Sequence, residues 1–265
     1  DEAWLGLDSI DTELFNPMSI VSSQKDDFKL RLAWLMTRPE YLSFLTHYIL
    51  NIQLLPSQSL VLQEIWERKF PMLIASRGFG KSFMLSLYAI IRALILPQRK
   101  IVIVGAAFRQ SKVLFEYMET IWRNAPMLRD MCDGNSGPRR DTDRCTLRLN
   151  ESTITCLPLG DGQKIRGQRA NDIIADEFAS IPREIFENVV AGFAAVSSNP
   201  VENVKRMAAE KKAEELGVVL DSDVKEVKKD NQIVLSGTAY YDFNHFATYW
   251  KKWKSIIKSK GERSK

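Results

Sequence analysis

Two spacings of apolar residues divide this chain. Apolar positions recurring every three to four residues predict helices, and unbroken apolar runs of four to six predict strands buried on both faces. Asp26 and Asp27 open an amphipathic segment that Pro39 closes, and a second apolar segment runs to about Leu55. Residues 1–56 therefore read as an N-terminal helical arm. After Pro56 the order becomes a helix over 59–68, a short apolar run at 71–75, a glycine loop, a helix over 81–96, the run KIVIVG at 100–105 and a helix over 109–123. This alternation predicts an α/β fold with a mostly parallel central sheet flanked by helices.

The second half of the chain is less regular. Residues 130–144 are rich in Gly, Pro and Arg and read as a mobile loop, while the runs 145–149 and 152–157 flank Asn150 and Glu151 and predict a hairpin. A polar loop over 160–171, a strand over 173–176 and a helix over 182–195 follow. Residues 200–230 alternate basic and acidic groups on a helical period with few large apolar residues, which predicts a charged, solvated helical insertion. A last strand at 232–236 precedes an aromatic and basic helix over 243–259.

Composition narrows the possibilities only a little. The 265 residues suffice for a full core, and the formal net charge of +4 matters less than its distribution. The first thirty residues are acidic, whereas Lys251, Lys252, Lys254, Lys258, Lys260, Arg263 and Lys265 face the single acid Glu262 near the C-terminus. Such a run suits either a phosphate-attracting stripe or a solvated helix end. Cys132, Cys145 and Cys156 lack metal-ligand spacing, and His47 and His245 lie far from them, which argues against a zinc site or a disulfide framework. The apolar stretch 41–55 is too short to span a bilayer, and the stretch 83–96 is interrupted by Arg92. Neither predicts a membrane partner.

The chemistry concentrates in two motifs. Residues 75–82 read ASRGFGKS, a phosphate-binding loop pattern with Ala75 in place of the first glycine. The loop follows an apolar strand and opens a helix, so the backbone N–H groups of Ala75, Ser76, Arg77, Gly78, Phe79 and Gly80 and the positive helix end can surround phosphates. Lys81 would reach the β and γ phosphates of ATP, and the Ser82 hydroxyl would bind Mg²⁺. Residues 172–178 read DIIADEF, an apolar strand ending in two carboxylates. Asp176 would hold Mg²⁺ through its water shell, and Glu177 would orient and polarise the attacking water.

Several further segments, in this order, make the chain resemble the ATPase domain of bacteriophage large terminases. LLPSQ places Gln58 where that family, like helicases, has a glutamine that contacts adenine. Arg77 is similar to the arginine many terminases carry inside the loop, IRGQRAN at 165–171 resembles their arginine-glycine element, and Ser236, Gly237 and Thr238 sit where they have a coupling motif. The resemblance covers about 57–243 and implies a P-loop NTPase of the ASCE, RecA-like kind. Its core would be 57–265, carrying the charged insertion at about 200–230. It further implies ATP hydrolysis coupled to movement of double-stranded DNA into a capsid, a homo-oligomeric ring, and portal protein and small terminase subunit as partners in the host cell cytoplasm. The RNase-H-like nuclease that follows the ATPase in full-length terminases is missing, which suggests a chain cut at the linker.

Among Arg139, Arg140, Arg144, Arg166 and Arg169, the position of Arg166 before a glycine and ahead of the acidic strand favours it as an arginine acting on a neighbouring subunit's ATP. Trp250 and Trp253 suit either stacking on nucleic acid or packing of a helix. A helicase-like enzyme shares the glutamine, the loop and the acidic pair, but it normally needs a second RecA-like domain that this length cannot hold. An ATP-binding assembly switch is the other alternative.

Overall fold

The computed structural model describes residues 38–96, 98–105, 107–158, 170–187, 231–238 and 244–259. The charged stretch 200–230, most of the 1–56 arm, Arg166 and Arg169 lie outside them. The KIVIVG run forms strand β2 (Lys100–Gly105), and the fold is layered around it. Ahead of it come helices α1 (Leu42–Tyr48) and α2 (Pro56–Glu67), strand β1 (Met72–Ile74) and helix α3 (Lys81–Ile95). Pro56 stands at the first position of α2, where its missing N–H costs nothing, so this helix begins three residues earlier than its apolar spacing predicts.

Helices α4 (Phe108–Asn124) and α5 (Pro126–Asp130) lead into strands β3 (Gly137–Arg140), β4 (Cys145–Leu149) and β5 (Ser152–Pro158). Strand β6 (Asp172–Ala175), a 3₁₀ turn at Phe178–Ser180, strand β7 (Gln232–Gly237) and helix α6 (His245–Lys258) complete the described elements. Among the described residues, seven strands form one sheet in the order β1-β7-β6-β2-β5-β4-β3. The pairings from β1 through β5 are parallel, while β5-β4 and β4-β3 are antiparallel. Strand β7, last in sequence, is thus inserted between β1 and β6.

The strand residues sort onto two faces with a period of two. Ile101, Ile103, Ile154, Ile174 and Val234 join the larger cluster with α3 and α4, and Leu42, Leu45 and Leu50 pack into the same cluster. Val102, Val104, Ile173, Ala175 and Leu235 join a second cluster on the opposite face, with Phe178, Phe186 and Phe246. A sheet covered on both faces has no polar side to display, which is why these strands read as continuous apolar runs.

Residues 130–144 differ from the expected mobile loop. They hold the end of α5 and the edge strand β3, whose Arg140 makes a two-pronged pair with Glu119 of α4 and whose Pro138 is tolerated because the strand is at an edge. The two tryptophans also separate: Trp253 packs against the second cluster, whereas Trp250 is exposed, with Lys254 Nζ 4.5 Å from its ring centre.

At one end of the central strands a buried ionic hub joins four elements. Asp172, at the start of β6, accepts from Arg92 Nε at 2.9 Å and from Arg99 Nε at 2.9 Å. The backbone N–H of Gln232, at the start of β7, donates to the same carboxylate at 3.0 Å. The Gln232 side-chain amide donates to the carbonyls of Ile65 and Arg68 at the end of α2 and accepts from the Tyr88 hydroxyl of α3. Among the described residues no helix is long and apolar enough to cross a membrane.

Candidate nucleotide site

At the opposite ends of these elements, residues 75–82 link β1 to α3. Gly78 and Gly80 have φ of +87° and +85°, values that only glycine adopts without strain, and Gly80 is the N-cap of α3. The two glycines reverse the chain so that α3 begins directly under the loop. Lys81, 7% exposed, folds back over it, with Nζ donating to Ala75 O at 3.0 Å, Ser76 O at 3.2 Å and Thr238 Oγ1 at 3.2 Å. Ser82 Oγ donates to Asp176 Oδ2 at 3.0 Å. Two residues 94 positions apart thus present oxygen donors at a single point.

Asp176 follows β6 directly and is 3% exposed. Burial pushes its carboxyl above the usual range, opposed by the Glu177 backbone N–H, by the Ser82 and Ser236 hydroxyls and by the charge of Lys81. Glu177 lies in the left-handed region at φ +47° and ψ +46°, a conformation that costs a non-glycine residue about 1–2 kcal/mol. Its N–H donates to Asp176 Oδ1 at 3.0 Å, so the strained turn is tied to the neighbouring acid.

Of the other residues singled out in sequence, Gln58 lies at the site. Its Oε1 accepts from Leu55 N at 3.1 Å at the start of α2, and its Nε2 is 3.7 Å from where a Cβ on Gly80 would stand. Ser236 and Gly237 end β7 between β1 and β6, Thr238 follows directly, and Ala75 N donates to Gly237 O at 3.3 Å. The Ser236 hydroxyl is buried without a hydrogen bond of ordinary length, yet it lies close enough to draw the Asp176 carboxyl downward. Gly237 is required by packing: a Cβ there would meet Phe246 Cε1 at 2.9 Å. Arg77 and Phe79 stay on the loop, with Arg77 exposed.

Three arginines do not join this group. Arg139 and Arg140 are on β3, at the far edge of the sheet from β1, and Arg144 follows them with a 3.5 Å pair to Asp141. The sheet therefore separates them from the loop of the same chain. Reading the sequence missed Asn244 and His245 at the start of α6. Asn244 Nδ2 donates to Ala179 O at 3.1 Å, and His245 Nε2 lies 3.1 Å from Phe178 O. Their only signal was an Asn ahead of an apolar and aromatic helical run, which marks an N-cap and says nothing of a site.

Among solved structures, the HK97 bacteriophage large terminase aligns with a TM-score of 0.54 at 12% identity over 79% of this chain and 38% of that one. The ATPase domain of the Thermus phage P74-26 large terminase, in a mutant form, gives 0.47 at 13% identity over 80% and 91%. A large terminase from a thermophilic bacteriophage gives 0.47 at 15% identity over 75% and 42%. No curated protein matches the sequence. The first alignment defines the class, a mixed α/β domain with the fold seen in terminases, and this chain spans 38% of the length of that HK97 relative. Residues 72–202 match the family model for the terminase large subunit, T4likevirus-type, N-terminal. Through that region the chain belongs to the large terminase family.

Proposed function

We propose that this chain is the ATP-hydrolysing motor part of a phage large terminase, with its reaction centre formed by residues 75–82, Asp176 and Glu177. The observation that carries the reading is the 3.0 Å contact between Ser82 Oγ and Asp176 Oδ2, directly beside the lysine of a glycine loop that opens a helix. Hydroxyl and carboxylate oxygens are donors that suit a hard cation, so these residues fit Mg²⁺. When bound, Mg²⁺ would neutralise charge on the β and γ phosphate oxygens.

The chain's own groups supply the rest. Lys81 offers its ammonium to the phosphates, in exchange for the carbonyl oxygens of Ala75 and Ser76. Glu177 orients the attacking water and accepts its proton as the bond between the β–γ bridging oxygen and the γ-phosphorus breaks, leaving ADP and phosphate. The carboxamide of Gln58 is the group for the adenine edge, and Arg77 faces the phosphates from within the loop. The insertion of β7 between β1 and β6 fits the ASCE, RecA-like arrangement, and it lets Thr238 respond to the occupancy of Lys81.

Coupling to double-stranded DNA, a homo-oligomeric ring docked on the portal protein in the host cytoplasm, and supply of DNA by a small terminase subunit belong to the same proposal. They rest on family membership.

Lys81→Ala and Asp176→Asn test the site directly. Each removes a charged contact, so affinity for ATP with Mg²⁺ should fall by about 10- to 100-fold, and Asp176→Asn should also raise the Mg²⁺ concentration needed for turnover. Parental hydrolysis by the Lys81→Ala protein would remove the phosphate assignment. Arg166 is assigned to the neighbouring subunit's ATP. Mixing Glu177→Gln subunits with Arg166→Ala subunits should then restore part of the turnover, and no recovery at any ratio of folded, associating proteins would overturn that role.

A further inference from the structure

We infer that Asn244 and His245, the N-cap and the first residue of α6, are positioning residues that hold the Glu177 turn in its working geometry, an inference that rests on Glu177 being the proton acceptor. The acid sits at φ +47°, and the 3₁₀ turn Phe178–Ser180 follows at once. That turn closes on itself through Ser180 N to Glu177 O at 2.9 Å and Ile181 N to Phe178 O at 3.1 Å. Two further contacts to its backbone come from α6 and the cap of that helix. The Asn244 carboxamide divides its two ends: Oδ1 accepts from Phe246 N at 2.9 Å and caps the helix, while Nδ2 donates to Ala179 O at 3.1 Å.

His245 Nε2 lies 3.1 Å from Phe178 O, which fixes the tautomer with the proton on Nε2, and the His245 ring packs on Phe178 with centroids 4.9 Å apart. Phe246 completes the grip. Its ring lies 5.6 Å from that of Phe178 and fills the space beside Gly237, the last residue of β7, whose next residue, Thr238, bonds Lys81.

Three consecutive residues at the start of one helix, its cap and first two positions, therefore touch the backbone just after the proposed proton acceptor and the strand end beside the phosphate lysine. A left-handed glutamate persists only where its surroundings over-determine it, and here much of that determination comes from α6. The outward face of the same helix carries Trp250, Lys251 and Lys254. Displacement of α6 would thus reach Glu177 through two hydrogen bonds.

Two substitutions separate positioning from folding. Asn244→Asp keeps the cap acceptor for Phe246 N but loses the donor to Ala179 O, and His245→Phe keeps a ring against Phe178 but loses the donor to Phe178 O. Each should lower kcat by about 10- to 100-fold, the cost of a small misplacement, with Mg-ATP affinity and thermal midpoint as in the parent. His245→Gln, which can donate from its amide, should recover turnover relative to His245→Phe. In a Glu177→Gln background neither substitution should reduce turnover further.

Parental kcat in both single variants, with Glu177→Gln impaired, would overturn the inference and leave the catalytic reading intact. A loss of affinity or thermal midpoint that accounts for the fall in kcat would also overturn it, as would a His245→Gln protein no better than His245→Phe. Undiminished turnover by Glu177→Gln itself would instead remove the reading on which the inference rests.

Discussion

Glu177→Gln is expected to bind ATP and Mg²⁺ as the parent does while its turnover falls by about 10²–10⁴-fold. Glutamine preserves the size of the side chain and the backbone bond from residue 177 to Asp176 Oδ1, and it lacks only the capacity to take a proton. The neighbouring acid should behave differently. Asp176 is buried and bonded to Ser82, so in the proposed site its loss should act on Mg²⁺ dependence and on affinity. The paired measurement is equilibrium binding of ATP with Mg²⁺ beside steady-state hydrolysis. Near-parental hydrolysis by Glu177→Gln would move the chain toward a nucleotide-binding switch.

The largest effect on stability is expected at the other end of the sheet. Asp172→Asn leaves the guanidinium groups of Arg92 and Arg99, 4% and 5% exposed, without the carboxylate on which both converge. Removing one partner from a buried ionic group costs about 3–5 kcal/mol, because the remaining charge keeps its desolvation cost and loses its compensation. The change should appear as a lower denaturant midpoint with an unaltered slope. A shift of less than about 1 kcal/mol would show that the hub tolerates the loss of its acid.

These two sites were not equally legible in the sequence. The strand before residue 75, the glycines at 78 and 80 and the helix after Lys81 are local features, so the loop could be read from adjacent residues. Asp176 and Glu177 could be read from the apolar run before them. What brings Ser82 to Asp176 is the sheet order, and a pairing across 94 positions has no local trace.

The ionic hub was harder still. Arg92 reads as an interruption of an apolar helix and Asp172 as the polar start of a strand, and each looks like an exception until the fold sets them 2.9 Å apart. A lone charge inside each of two apolar runs was the available hint. The edge strand β3 was hidden by its composition, since Gly137, Pro138 and two arginines carry no strand pattern, and long-range contacts such as the pairing with β4 and the Arg140–Glu119 bridge order them.

That strand also bears on how copies of this chain can meet. Among the described residues the sheet ends on β3, four residues long, with a proline that has no N–H to offer and two charged side chains. An exposed border of this kind is a poor template for another backbone, because a newcomer would find a donor missing from the ladder and would have to desolvate guanidinium groups to approach it. Growth of the sheet from one molecule into the next is therefore blocked on this side. In the proposed ring, contacts on this side would run through side chains, which can be broken and remade without unravelling a shared sheet.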